Sequence, residues 1–247
     1  MARTLLRNRL IAVLAGGLVA TALSACENDN VPKDADLIAG KKAFAERCGA
    51  CHVLRRANTK GTQGPDLDAA FRQSLADGLG RDTIHGVVLD QILYPAIVPK
   101  SSPAYMPPKL VTGKLASDVS AYVAAVAARP GEDEGKLATA VPVAGAGKPI
   151  AAKDGKLEIP ADPTGQLAYV STKATAPPGK LVIESKNDAS IPHDIAIKEK
   201  GINADGDDVQ DGGVSRITVD VKPGTYTYFC TVPGHLEGGM KGTLTVE

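Results

Sequence analysis

Two groups of residues in this sequence have the types and spacing to hold metals. The first is the run Cys48-Gly49-Ala50-Cys51-His52. Two thiols separated by two residues can form thioether links to both vinyl groups of a haem, and the imidazole that follows then lies against the iron. A zinc ribbon needs a second Cys or His pair, which this part of the chain lacks. A thioredoxin-like pair does not call for His52 and belongs in alternating strands and helices, and a plain Cys48–Cys51 disulfide accounts for nothing else in the run. The second group is His193, Cys230, His235 and Met240, the last three spaced Cys-x4-His-x4-Met. Two imidazoles, a thiolate and a weak axial thioether are the donor set of blue-copper electron-transfer sites. Thiolate and thioether suit Cu(I), and the imidazoles suit both oxidation states. Met is too poor a donor for zinc. The plain alternative is a buried thiol near two unrelated histidines.

Stepping outward, the elements that position these groups fall into two parts. Asp36 can cap a helix carrying Leu37, Ile38, Phe44 and Ala45 at spacings of one helical face, leading into the Cys48–His52 run. Residues 81–94 read as an amphipathic helix that carries His85. Residues 115–129 read as a closing helix, with Tyr122 among Val119, Val123 and Val126 and slimmed by Ala124, Ala125, Ala127 and Ala128. Met106 stands alone between the first Met and Met240 and precedes Pro107-Pro108, which stiffen its loop. Beyond it, 131–148 has no periodicity and reads as a short flexible linker. From residue 150 the pattern alternates, with strands expected at 156–159, 166–170, 180–185, 191–198, 216–221, 225–230 and 243–247. Many short strands punctuated by Pro-Gly turns point to a Greek-key sandwich. The expected layout is a signal segment 1–25, a tether 26–35, a helical domain 36–130, a linker 131–149 and an all-β domain 150–247.

Over 36–130 the chain resembles the class I cytochromes c. Gly40 and Phe44 fall where that family packs its first helix on its last. Gly64-Pro65-Asp66-Leu67 resembles its G-P-x-L segment, and Tyr105-Met106-Pro107-Pro108 its distal loop. The resemblance implies an all-α fold holding one covalent haem c. His52 and Met106 would be the axial ligands, and the Pro65 carbonyl would accept a bond from the proximal imidazole. Over 150–247 the chain resembles the cupredoxins. Its Cys–His gap is closer to rusticyanin and sulfocyanin than to plastocyanin. This implies one type 1 copper held by His193, Cys230, His235 and Met240, with His235 at the apolar surface of its domain. Asp194 departs from the Asn common after the first His ligand, so a charge replaces an amide that pins the ligand loop.

The N-terminus carries Arg3, Arg7 and Arg9, then an uncharged stretch from residue 10 to residue 25. The stretch is too short for a spanning helix. Leu23-Ser24-Ala25-Cys26 looks like the lipobox of bacterial lipoproteins, which makes Cys26 the lipidation site and places the protein outside the cytoplasm on a membrane. With 28 Lys plus Arg against 28 Asp plus Glu, the chain has no basic excess for binding nucleic acid. Of the four histidines only His85 is left unassigned, too few for the second copper site of a multicopper enzyme, so an enzyme is not expected. Asp205, Asp207, Asp208 and Asp211 lack the Gly and flanking helices of a calcium loop and read as a solvated excursion. The expected function is extracytoplasmic transfer of single electrons between haem c and copper, and on to redox proteins of a respiratory chain. The linker would let the haem edge and the His235 patch dock transiently. The alternative is a copper-storage lipoprotein with an accessory haem, although storage favours exchangeable ligands over buried ones.

Overall fold

The computed structural model describes residues 31–102 and 104–247, so Cys26 and the whole signal segment lie outside the described residues. The N-terminal part is helical. α1 (Leu37–Arg47) begins at Asp36, whose side chain accepts from the N–H groups of Ile38 and Ala39, both at 3.0 Å. Such a cap contributes roughly 1 kcal/mol. Two short strands, β1 (Val53–Leu54) and β2 (Thr59–Lys60), form a small hairpin after the Cys48–His52 run. Next come α2 (Leu67–Ala76), α3 (Arg81–Leu93) and α4 (Gly113–Val126).

α1 crosses α4 at Gly40, where an added Cβ would lie 2.2 Å from the Asp118 carbonyl oxygen and 3.0 Å from the Tyr122 Cβ. Glycine is what lets the two backbones approach. The Asp118 carboxylate also accepts from the Asp36 N–H at 2.9 Å and from Lys114 Nζ at 2.7 Å, tying the start of α1 to α4. The core between them holds Phe44, Leu54, Ile92, Val119, Tyr122 and Val123. The alanines of the closing helix serve a second contact as well, since Arg81 Nη1 donates to the carbonyls of Ala124 and Ala127.

The segment 131–149 differs from a free linker. Asp133 is buried and accepts from Lys41 at 2.9 Å, from Arg56 at 2.8 Å and from the Tyr122 hydroxyl at 2.9 Å. The short α5 (Gly135–Ala138) follows, and its Leu137 carbonyl takes a further bond from Lys41. Farther on, the Pro142 carbonyl accepts from Gln166, and the Gly147 N–H donates to the Val170 carbonyl. This strap is therefore fastened to both parts of the molecule.

The C-terminal part is a two-sheet sandwich built from β3 (Ile150–Ala151), β4 (Lys156–Glu158), β5 (Lys173–Ala176), β6 (Gly179–Asn187), β7 (Ala196–Ile197), β8 (Ala204–Asp205), β9 (Gly213–Val221), β10 (Gly224–Phe229) and β11 (Lys241–Val246). One sheet has the order β3-β5-β11-β10-β7-β8 and the other β4-β6-β9. β6 and β9 pair antiparallel, from Gly179 opposite Val221 to Asn187 opposite Gly213, with alternate residues buried. The all-β sandwich expected here is present. Two expected strands differ. Residues 166–170 run as an irregular segment, buried only as far as Tyr169, and 191–198 is in the ladder only at β7, with a single bridge between His193 and Val209. Nor is the acidic stretch wholly a loose excursion, since Asp205 pairs with Ala196 at the sheet edge.

Candidate metal centres

In the sandwich, β10 ends at Phe229 and delivers Cys230 into the loop that precedes β11. Three hydrogen bonds fold that loop tightly. His235 N–H donates to the Val232 carbonyl at 3.0 Å, Gly238 N–H to the Gly234 carbonyl at 2.9 Å, and Gly239 N–H to the Leu236 carbonyl at 3.0 Å. Gly234 and Gly239 have φ of 83° and 104°, a region that favours glycine. Met240 N–H donates to the His235 carbonyl and Cys230 N–H to the Met240 carbonyl, so both ends of the loop meet. His193 arrives from the other side on a segment held by Asn187, whose amide donates to the carbonyls of Ile191 and Val209 at 2.7 Å each.

The donor atoms converge. Cys230 Sγ lies 3.4 Å from His235 Nδ1 and 4.0 Å from His193 Nδ1, and the two Nδ1 atoms are 3.2 Å apart. All three residues are buried, and Met240 is fully buried in the same cluster as Cys230. Burial pushes the His193 imidazole down to about 3 and His235 to about 4, so both rings are neutral at pH 7 and free to ligate. Burial pushes the Cys230 thiol up to about 12, against the pull of hydrogen bonds from the Asp194 and Val232 backbones. A bound cation reverses that balance, because a coordinating thiol is deprotonated outright. The donor set and its convergence therefore fit copper. Asp194, a charge in the place of a pinning amide, still pins the loop. Its carboxylate accepts from the Thr231 N–H at 2.6 Å and the Thr231 hydroxyl at 2.5 Å, while its carbonyl takes a bond from Tyr169 at 2.8 Å. Tyr169, Asn187 and Thr231 were not foreseen as supports. Thr231, placed directly after the Cys, was the one with a sequence signal.

The first group lies at the end of α1. Cys48 caps the helix, and the N–H groups of Cys51 and His52 donate to its carbonyl at 3.1 and 2.9 Å, winding the run into a compact turn. His52 Nδ1 lies 3.0 Å from the Pro65 carbonyl oxygen, the contact expected of that pair. An added Cβ at Gly64 would lie 2.5 Å from His52 Cε1, so the imidazole fills the space where a side chain would stand. Cys48, His52, Pro65 and Met106 line one cleft whose other walls include Phe44, Phe71, Val88 and Ile92. Burial lowers the His52 pKa and pushes the Cys48 thiol up to about 12. The Gln91 amide approaches Met106 Sδ at 3.9 Å. His85 stays on α3, with Nε2 3.4 Å from the Ser117 hydroxyl, and is not among the cleft residues.

Comparison with known proteins bears on the second group. Residues 157–247 match the copper binding proteins of the plastocyanin/azurin family. Auracyanin-B of Chloroflexus aurantiacus is 75% identical over 24 residues, a tenth of this chain and a tenth of that protein. Among solved structures, a dithionite-reduced auracyanin of Roseiflexus castenholzii is 27% identical over 40% of this chain and 94% of its own, with a TM-score of 0.31. Auracyanin A of Chloroflexus aurantiacus, described as a blue copper protein, is 22% identical over 40% of this chain and all of its own, with a TM-score of 0.33. With His193, Cys230 and His235 converging beside a buried Met240 inside the matched region, the C-terminal part of this chain is a blue-copper domain similar to the plastocyanin/azurin family.

Proposed function

We propose that this chain is a two-centre electron carrier in which a covalent haem c accompanies the blue copper. The observation that carries this reading is the shared cleft. His52, held through Nδ1 by the Pro65 carbonyl, and Met106 line the same apolar space as Cys48, with Cys51 one turn away. In this reading Cys48 and Cys51 would hold a haem c through thioether links, and His52 and Met106 would ligate its iron. Haem c supplies reversible one-electron chemistry when bound, and so does copper. The chain's own residues orient the ligands, bury those of the copper side and favour neutral imidazoles. Pro65 holds the His52 tautomer, and the apolar walls favour a neutral imidazole. Copper storage is disfavoured, because a site buried beneath a closed loop retains its ion. No residue is assigned a catalytic role.

The partners are redox protein donors and acceptors of a respiratory chain, reached from a membrane to which a lipid on Cys26 anchors the protein on its extracytoplasmic face. Two measurements on protein from a haem-maturing, lipoprotein-processing host test this reading. Intact mass should show loss of residues 1–25 with gain of one haem and acyl chains. The visible spectrum should combine haem bands with a thiolate-to-copper band that Cys230→Ser abolishes. Cys26→Ser should release the protein from membranes with both sets of bands intact. A mature mass without haem, or a colourless copper-loaded protein, overturns the corresponding half of the reading.

A further inference from the structure

The helical and β parts meet at their two metal-binding loops. Gln63 lies one residue before Gly64 and lines the cleft mouth beside Cys51, His52 and Met106, with its amide oxygen 3.8 Å from Cys51 Sγ. Its amide nitrogen donates to the Pro233 carbonyl at 2.7 Å. Pro233 sits in the copper-ligand loop, midway between Cys230 and His235. The neighbouring Gly234 faces Thr62 and Gln63 so closely that an added Cβ would stand 3.4 and 3.5 Å from them. Around this bridge, Arg47 donates to the Ser190 hydroxyl at 2.8 Å, and Ala50 is buried in the core cluster of the sandwich with Leu167. An added Cβ on Gly165 would stand 2.7 Å from the Glu46 carbonyl oxygen. The contact thus combines two side-chain hydrogen bonds with close backbone approaches and a buried apolar residue. A transient encounter of two tethered domains needs none of that fit.

We propose that residues 46–63 and the copper-ligand loop form a fixed internal dock in which Gln63 is the positioning residue that holds one metal loop against the other. The proposal rests on the two-centre reading for its function and on the contacts themselves for its geometry. The transfer it serves moves one electron between an Fe(II)/Cu(II) and an Fe(III)/Cu(I) pair, with no bond made or broken and no proton moved. Gln63 acts through position. Its side chain reaches from beside the Cys51 sulfur to the Pro233 carbonyl, which keeps the two loops together on the side toward His235. The strap at 131–149, fastened at Asp133 and Gly147, holds the same arrangement from the far side.

The test uses the full chain as wild type, as Gln63→Glu (similar in shape, without the donor), and as the double variant Arg47→Ala/Gln63→Ala. NMR alignment of the two parts should give one shared orientation in the wild type and two independent ones in the double variant. Flash reduction of the haem should be followed by copper reduction at a rate independent of protein concentration. That rate should fall tenfold or more in the double variant and several-fold in Gln63→Glu, with both visible spectra unchanged. Two independent orientations in the wild type overturn the dock even if both cofactors are bound. Unchanged transfer in the double variant removes Gln63 from its role. If the wild type carries no haem, the two-centre reading fails, yet the alignment measurement still decides whether the dock exists.

Discussion

The Asp194 carboxylate and Thr231 form a two-point clasp, with one carboxylate oxygen taking the Thr231 N–H and the other its hydroxyl. The clasp joins the residue after the first copper ligand to the residue after the thiolate ligand. Two chain segments that share no ladder hydrogen bond at this point are thereby locked at the metal. A carboxylate can fill the mechanical place of an amide because both donors come from Thr231, so only acceptors are required.

Replacing Asp194 separates the mechanical part of the clasp from the electrical one. Asp194→Asn keeps one acceptor oxygen for the Thr231 N–H and removes a negative charge beside the copper ligands. The blue band should persist and the potential should rise, since the reduced centre then faces less repulsion. A shift on the order of 1.4 kcal/mol corresponds to about 59 mV for one electron. Asp194→Ala should also broaden the band by freeing the loop. Voltammetry of the three proteins checks this, and an unchanged potential in Asp194→Asn would show that the charge is screened from the metal.

Metal-free protein should lose stability in weak acid. Burial holds His193 down to about 3 and His235 to about 4, while the same side chains in the unfolded chain titrate near 6.5. The folded state therefore binds fewer protons between those values. The contribution is fully present above about pH 6.5 and is lost as pH falls toward 3 to 4. The slope from each ring is on the order of 1 kcal/mol per pH unit. Thermal melts of chelated wild type and His193→Phe at a series of pH values isolate the effect, because the carboxylates are common to both. Parallel pH profiles would mean that His193 is not held neutral by burial.

The copper-side residues were legible because spacing alone carries their chemistry. Cys230, His235 and Met240 share one loop, so little long-range folding is needed to bring them together, and the Cys48–His52 run stands out by its spacing in the same way. The long hydrophobic strand β6 was likewise visible in its alternation, and α1 in its Asp36 cap. Other features were hidden for physical reasons. β5 is Lys-Ala-Thr-Ala, too small in its buried positions to announce a strand. α2 is the exception, since Leu67, Phe71 and Leu75 at helical spacing and the Asp66 cap could have marked it. Residues 166–170 look like a strand but are held by side-chain bonds from Gln166 and Tyr169. The strap read as a linker because its anchors, Asp133, Pro142 and Gly147 among them, are fastened to residues outside it and leave no local pattern. Nothing local marks Gln63, whose partner Pro233 is 170 residues away.

Asp133 should be the residue whose loss most weakens the helical part. Its side chain is 1% exposed and answers two cations and a hydroxyl. Asp133→Ala leaves a buried Lys41 and a half-buried Arg56 facing no carboxylate at this point, a change that typically costs about 3–5 kcal/mol. Asp133→Asn should cost less, since it keeps an acceptor. Denaturant unfolding followed by haem absorbance should show this loss, with the copper band surviving to higher denaturant than the haem environment. Equal stabilities for Asp133→Ala and wild type would mean that the strap is not fastened at this point.

Gly64→Ala tests whether the His52–Pro65 geometry governs the first centre. The added methyl would stand 2.5 Å from His52 Cε1 and 2.6 Å from Nδ1, well inside van der Waals contact, so the imidazole must turn or the loop must retreat. Either movement lengthens the 3.0 Å contact with the Pro65 carbonyl. Overpacking of this kind costs about 1–3 kcal/mol, and loss of the bond makes the imidazole a weaker donor to iron. In the two-centre reading covalent attachment would rest on Cys48 and Cys51, so the mature mass should be unchanged. The expected result is an altered haem potential and a haem ligand that is more easily displaced by added imidazole, with the copper spectrum intact. Pro65→Ala is the control, because it keeps the carbonyl and adds no atom near the ring, and it should perturb the haem less than Gly64→Ala. If Gly64→Ala leaves both the potential and the imidazole affinity at wild-type values, His52 is not held by this contact. If the mature mass lacks haem in wild type and variant alike, the Cys48–His52 run serves some other chemistry.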